Sequence, residues 1–311
     1  MNLLKSLSDL LLAPKEQLVH FIVSAPRRYK VYEIKKRNGK GTRTIAHPSK
    51  ELKYIQRHIT SLLKQHIPVH EASLAYESGR GIKLNAQMHC KNQYLLKLDF
   101  ENFFPSILPM HLINIAKKNG LDLSKEDVYI LSQTLFWKAS YSENLCLSIG
   151  APSSPFISNA IMYDFDKEIT DRCNEMGVIY TRYADDISFS TDNPNVLYKI
   201  VGIVEKNLEL HTYKAIKINK DKTVNASKKH NRHITGVTIT NEGKLSLGRK
   251  RKRILSSQIH KFTLGMLAPM EIKKLQGHLG FANHIEPLFI TRMELKYGTD
   301  IINSVRVFNL E

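Results

Sequence analysis

Little in this chain suits covalent cross-linking, a metal cage or a membrane. The 311 residues contain three cysteines, Cys90, Cys146 and Cys173. An odd number at wide spacing argues against a disulfide framework and against a zinc site, so they read as plain core or surface thiols. No run of about 18 apolar residues occurs, and the start Met1-Asn2-Leu3-Leu4-Lys5-Ser6 lacks a signal-peptide pattern. A cytoplasmic protein with no membrane partner is the expectation. Glycine-rich fingerprints of P-loop or dinucleotide type are missing, and so is His-Glu-x-x-His. His66 and His70 have i, i+4 spacing, but Pro68 between them breaks a helical metal pair. There is no internal repeat and no low-complexity linker. Acidic residues are also scarce: 29 Asp and Glu stand against 46 Lys and Arg, for a net charge of +17. That excess is more than solubility needs and points to a polyanionic partner.

The few carboxylates are concentrated. Tyr183-Ala184-Asp185-Asp186 lies between Val178-Ile179-Tyr180-Thr181-Arg182-Tyr183 and Ile187-Ser188-Phe189-Ser190, two runs of β-branched and aromatic residues that suit strands. Two adjacent acids therefore sit at the tip of a β-hairpin, where they repel each other unless a hard divalent cation binds. Taken alone, the motif also reads as an acidic turn facing water. Leu95-Leu96-Lys97-Leu98-Asp99-Phe100 reads as a buried strand that ends in a third carboxylate. A strand-end Asp with an Asp-Asp hairpin is the ligand set that two-metal phosphoryl transfer requires. Between them, Gly150-Ala151-Pro152-Ser153-Ser154-Pro155 offers small residues for close backbone approach and a second Pro that suits a helix start. Ile157, Ile161, Phe165 and Ile169 then recur every four residues, predicting an amphipathic helix under the sheet.

Nearer the start, Leu18 to Ser24 looks helical. Tyr29 to Ile34 and Thr42 to Ile45 alternate as strands around the turn Asn38-Gly39-Lys40-Gly41. A helix over 49–66 follows, with Leu52, Ile55, Ile59, Leu62 and Leu63 on one face. After Leu245-Ser246-Leu247-Gly248, apolar and basic residues recur at helical spacing. Positive charge is densest in Lys228-Lys229-His230-Asn231-Arg232-His233 and Arg249-Lys250-Arg251-Lys252-Arg253. Each phosphate neutralised there would release counterions and add salt-sensitive affinity; a solvated helical face is the alternative.

These blocks, in this order, resemble reverse transcriptases, and among them the bacterial retron enzymes. Asn85-Ala86-Gln87-Met88-His89 resembles the Asn-Ala-x-x-His element of retron enzymes, and Ile234-Thr235-Gly236 resembles their Val-Thr-Gly element with Ile for Val. Ser148-Ile149-Gly150 departs from the family's usual Pro-Gln-Gly. The resemblance implies an α+β right-hand polymerase fold. Residues 1–90 would form N-terminal helices and fingers, 91–235 the palm with its antiparallel sheet, packed helices and fingers insertions, and 236–311 a helical thumb.

It also implies roles. Asp99, Asp185 and Asp186 would be the catalytic carboxylates and, with the main-chain carbonyl of Phe100, the ligands of two Mg²⁺ ions, for which Mn²⁺ is a possible substitute. Lys36 and Arg43 on the fingers hairpin would grip the triphosphate of a deoxyribonucleotide, surface charge being the alternative. Gly150 and Ala151 would line the nucleotide pocket, and Lys222 would lie near the leaving pyrophosphate. Phe104 would be a steric gate that excludes a 2′-hydroxyl; a core aromatic beside Phe103 is the other reading. RNA contacts would come from Asn85, His89, Thr235, Gly236, Arg249, Arg251 and Arg253, although Asn85 and His89 also suit a bracing role.

The function implied is an RNA-directed DNA polymerase that binds a cognate structured non-coding RNA, primes from an RNA 2′-hydroxyl and makes multicopy single-stranded DNA. The RNA–DNA hybrid and a separately encoded effector protein would be its partners in antiphage defence. Two other readings stand beside it. One is a reverse transcriptase of group II intron or diversity-generating type, and the other is an RNA-binding scaffold that restrains an effector.

Overall fold

Apolar spacing and side-chain caps set the first helices. The computed structural model describes residues 1–36, 39, 41–139, 144–211 and 216–309. Helix α1 (Leu3–Leu11) is capped by Asn2, whose side chain accepts from the Lys5 N–H, and it buries Leu3, Leu4 and Leu7. After α2 (Lys15–Ser24), strands β1 (Tyr29–Lys35) and β2 (Thr42–Pro48) pair antiparallel from Tyr29 with Pro48 to Lys35 with Thr42. This is the expected hairpin; Asn38 and Lys40 of its turn lie outside the described residues. Helix α3 (Lys50–Lys64), capped by Ser49, buries Leu52, Ile55, Ile59 and Leu63 of the expected face, and Leu62 packs partly covered beside them.

The middle of the chain holds α4 (Ile82–His89), β3 (Tyr94–Glu101), α5 (Pro109–Lys118), α6 (Lys125–Leu135) and a short pair β4 (Trp137–Lys138) and β5 (Leu145–Cys146). Then come α7 (Ser154–Ile161), α8 (Tyr163–Glu175), the hairpin β6 (Ile179–Tyr183) and β7 (Asp186–Thr191), and α9 (Leu197–Leu210). Pro155 opens α7 as expected. The expected single helix is interrupted at Met162, yet Ile157, Ile161, Phe165 and Ile169 are all buried in one core. The last third contains β8 (Lys217–Ile218), β9 (Val224–Ser227), β10 (Arg232–Ile234), β11 (Val237–Ile239) and β12 (Leu245–Ser246). Four helices close it: α10 (Arg249–Thr263), α11 (Pro269–Ile285), α12 (Pro287–Tyr297) and α13 (Thr299–Val307).

Strand β3 is the centre of the main sheet. One edge pairs antiparallel with β7, which pairs with β6. The other edge is shared: β9 covers Tyr94 to Lys97 and β8 covers Phe100 and Glu101. Residues 219–223 therefore step out of the ladder beside Asp99. Side chains alternate across a strand, so the registers place Leu96, Leu98, Phe100, Tyr180, Ile187 and Phe189 on one face. These pack into a core with Ile157, Phe165 and Ile169 of α7 and α8. The opposite face carries Asp99, Asp186, Ser188, Ser190 and Thr181.

A second core joins Ala86 and Leu95 to Ile234, Val237, Leu255, Leu275, Leu279, Phe289 and Ile302, and it holds the terminal helical bundle. Leu3, Leu18 and Ile55 of the first segment share the sheet's core. The 235/236 boundary falls on the turn of the β10–β11 hairpin, whose paired Ile234 and Val237 both lie in the second core, so the change of core comes before β10.

Candidate active site

The site is built by strand register. Asp99 lies directly opposite Asp186 across the β3–β7 ladder, and Tyr183 opposite Asp186 in the hairpin, which leaves Ala184 and Asp185 as a two-residue turn. Ala184 has φ +57, a left-handed conformation that an L-residue rarely adopts. The Phe100 N–H donates to the Asp185 carbonyl at 3.0 Å, which ties the turn to β3. The Asn219 N–H donates to the Asp99 carbonyl at 2.8 Å from the other side. Because N–H and C=O of one strand residue point to the same edge, the Phe100 carbonyl faces the hairpin turn as well.

The electrostatics follow from this crowding. Burial first, then the Asp99 charge, pushes the Asp185 carboxyl above the usual carboxylate range. Asp186 is pushed up to about 6 by desolvation, then by Asp185 and Asp99, while Lys97 and Lys222 pull it down. Asp99 is 7% exposed and accepts from Lys222 Nζ at 2.7 Å. Lys222 gets there because its short helical turn, residues 220–222, belongs to the stretch that leaves the ladder. Among the described residues no three His, Cys, Asp or Glu side chains form a ready cage. The donor set suits a hard divalent cation nonetheless, since such an ion can take one or two carboxylates and complete its shell with water, carbonyl or phosphate oxygens. Burial and the neighbouring carboxylates both disfavour the charged form here, and a bound cation would offset both.

The other expected residues divide. Arg43 on β2 lies close enough to Asp185 to lower its pKa, whereas Lys36 is exposed at the end of β1, where its N–H donates to the Gly41 carbonyl at 3.0 Å. Of the two phenylalanines, Phe103 is buried at 5% and stacks on both Phe100 and Phe104, and Phe104 is the half-buried one. Gly150 does permit a close approach, but to the chain's own β2: at φ +129, an added Cβ would lie 2.9 Å from the Ala46 carbonyl oxygen. The neighbouring Ile149 carbonyl accepts from the Ala46 N–H at 3.0 Å, and Ala151 is buried.

Asn85 and His89 both lie on α4. Both are about 1% exposed. His89 is bonded through Nδ1 to Ser190 and through Nε2 to Thr181, each at 2.7 Å, and Thr181 donates to Asn85 at 2.6 Å. They pin α4 onto the carboxylate face of the sheet, and both side chains are enclosed by the protein. Two residues passed over in the sequence also belong to the site. Tyr76, 52% exposed at φ +65, has its hydroxyl pushed up by burial and by Asp185 and Tyr183. Arg182 lies beneath the turn, and its Nη1 donates to the Ala184 carbonyl at 3.2 Å. Residues 76–79 carry a turn-like composition, but nothing in it points to Asp185.

A basic groove of about 1170 Å³ lies where β10 and β11 meet α10. Lys228, Lys229, Gly236, Arg249, Lys250 and Arg251 are among its lining residues. Thr235 and Gly236, at φ +45 and +82, form the β10–β11 turn beside it. Arg251 is half-buried: it donates to the Gly236 carbonyl at 3.2 Å and lies 4.6 Å over the Phe281 ring. Arg253 is exposed on the same helix and is not part of the lining.

A sheet with a strand-end carboxylate facing an acidic hairpin, helices behind it and a basic groove beside it defines a nucleic acid polymerase palm. Residues 34–239 match the family model described as reverse transcriptase (RNA-dependent DNA polymerase). The chain is 46% identical over 283 residues to the retron Ec83 reverse transcriptase of Escherichia coli, covering 90% of each protein. It is 28% identical over 314 residues to the retron Ec86 reverse transcriptase of the same organism, covering 98% of this chain and 94% of that one. The chain belongs to the bacterial retron reverse transcriptases, and it is an RNA-directed DNA polymerase. A solved telomerase from Candida albicans in complex with a TWJ fragment of telomeric RNA matches with a TM-score of 0.50 at 12% identity, over 90% of this chain and 61% of that one. The expected right-hand fold is borne out. The family generally uses divalent metals, and among the described residues no helix is long and apolar enough to cross a membrane.

Proposed function

We propose that this polymerase copies part of its own structured non-coding RNA into multicopy single-stranded DNA, starting from a guanosine 2′-hydroxyl of that RNA. With the RNA–DNA product it restrains a separately encoded effector in antiphage defence. Membership of the retron family supports this reading, and the register of Asp99 with Asp186, with Asp185 on the turn between β6 and β7, carries its chemical part.

Asp99, Asp185, Asp186 and the Phe100 carbonyl are the groups that would hold two Mg²⁺ ions, with Mn²⁺ as a substitute. The ions, when bound, lower the pKa of the attacking hydroxyl and neutralise charge on the triphosphate. Arg43 can grip phosphate oxygens with two parallel hydrogen bonds, with Lys36 further out on the same hairpin. Lys222 is 51% exposed on a flexible stem, so it can exchange Asp99 for the departing pyrophosphate and neutralise it. Phe104, the half-buried ring, supplies the edge against which a 2′-hydroxyl would clash. Gly150 and Ala151 hold the floor of the nucleotide site against β2.

Asp185→Asn tests the assignment. It removes most DNA synthesis in Mg²⁺ while RNA affinity stays close to wild type. Sequencing the nucleic acid that copurifies with the wild-type protein tests the rest: a branched RNA–DNA molecule is expected. Bare RNA with an active polymerase overturns the priming scheme and favours a scaffold.

A further inference from the structure

Beneath the carboxylate face, a second charged group is wholly buried. Arg182 and Asp166 side chains are both 0% exposed, with Nη2 2.6 Å from Oδ2 and Nε 2.8 Å from Oδ1. The Tyr180 hydroxyl donates to the same Oδ1 at 2.7 Å. The remaining nitrogen, Nη1, donates to Asn159 Oδ1 at 3.1 Å and to the Ala184 carbonyl at 3.2 Å. Asn159 in turn donates to the Ala75 carbonyl at 2.9 Å. The Arg182 backbone is paired with the Ala72 carbonyl and the Leu74 N–H, each at 2.8 Å.

A buried ion pair is a poor explanation of stability, because apolar residues of like volume often replace one at no cost. What an apolar residue cannot do is hold a carbonyl. Ala184 is left-handed at φ +57, and such a conformation in an L-residue persists only when its surroundings over-determine it. The next residue is Asp185, whose own carbonyl takes the Phe100 N–H. The turn is thus fastened at two successive carbonyls, one to Arg182 and one to β3.

We propose that Arg182 is a positioning residue for polymerisation: through the Ala184 carbonyl it fixes the turn so that Asp185 faces Asp99 before substrate arrives. Asp166, Tyr180 and Asn159 hold the guanidinium in place for that purpose. The fork geometry of Arg is needed, because one head group must serve Asp166, Asn159 and Ala184 together. The proposal rests on the assignment of Asp185 given above.

Arg182→Lys is the test, since an ammonium can keep Asp166 paired but cannot also reach Asn159 and Ala184. Hydrogen exchange resolved to single amides reads the turn directly. The Phe100 amide is expected to exchange much faster than in wild type, with the Leu96 and Leu98 amides unchanged. Primer-extension kcat is expected to fall about 100-fold, the effect of a misplacement near 1 Å, while KM for nucleotide and RNA affinity stay close to wild type. Faster exchange along all of β3, or wild-type exchange at Phe100 with wild-type kcat, would overturn the proposal. If the lysine variant does not fold, Arg182→Met with Asp166→Leu removes both charges and is read in the same way. Asp185→Asn measured alongside separates the two claims: full synthesis by that variant sinks the carboxylate assignment, while the exchange result still decides whether Arg182 holds the turn.

Discussion

His89 shows what burial does to a single residue in this site. Its imidazole is fully enclosed, and desolvation lowers its pKa from 6.5 to about 3. In the unfolded chain it takes a proton near pH 6.5, so below that pH the unfolded state binds more protons than the folded one. The stability it contributes is fully present above pH 6.5 and is lost as pH falls toward 3. At pH 5 the loss is about 2 kcal/mol at 1.36 kcal/mol per pKa unit. Urea unfolding at pH 7 and pH 5 is expected to show a gap about that much larger in wild type than in His89→Gln. An equal gap would mean that the imidazole is solvated. Residues differ in how plainly the sequence announces them. Asp99 and Asp185-Asp186 are legible because strand alternation and a two-residue turn are local. Arg182 and His89 are not, because their partners Asp166 and Ser190 lie 16 and 101 residues away, and only folding shows that they are satisfied.

At the scale of the element, the β10–β11 hairpin is at odds with its own turn. A two-residue loop with positive φ at both positions favours Asn-Gly, and here the first position is Thr235, a β-branched residue at φ +45. Its hydroxyl is buried and has no hydrogen-bond partner among the described residues. Such strain persists where something else depends on it. Thr235→Asn is therefore expected to raise unfolding free energy by about 1 kcal/mol while weakening the cognate RNA more than an unrelated duplex. Denaturant melts and RNA titrations check the two halves, and unchanged RNA selectivity would reduce Thr235 to a turn residue. Elements as such are readable from sequence: the fingers hairpin, α3 and the strand that carries Asp99 appear where apolar periodicity puts them, although that strand runs on to Glu101. Their breaks are less so. Met162 interrupts what periodicity reads as one helix, because the apolar spacing runs straight through the join between α7 and α8.

For the whole molecule, charge decides more than any single side chain. The net +17 is gathered in part around the groove between the β10–β11 hairpin and α10, at the seam where the second core meets the sheet. The basic run from Arg249 to Arg253 reads as uniform in sequence, and the structure divides it. Arg249 and Lys250 are exposed and line the groove, Arg251 supports the Gly236 turn, and Lys252 is tied to Glu286 at 2.7 Å. Within this run, and among the described residues, Arg249 and Lys250 are the exposed cations that line the groove and can neutralise phosphates there. Replacing both by Gln is expected to weaken cognate and unrelated RNA alike. It should also flatten the slope of log affinity against log salt by about 1.4 to 1.8, at 0.7 to 0.9 for each phosphate no longer neutralised. Arg251→Gln should behave differently: it removes a support of the turn, so cognate RNA suffers more than unrelated RNA. Titrations of the two RNAs at several salt concentrations distinguish these outcomes, and an unchanged slope in the double variant would move the phosphate track out of the groove.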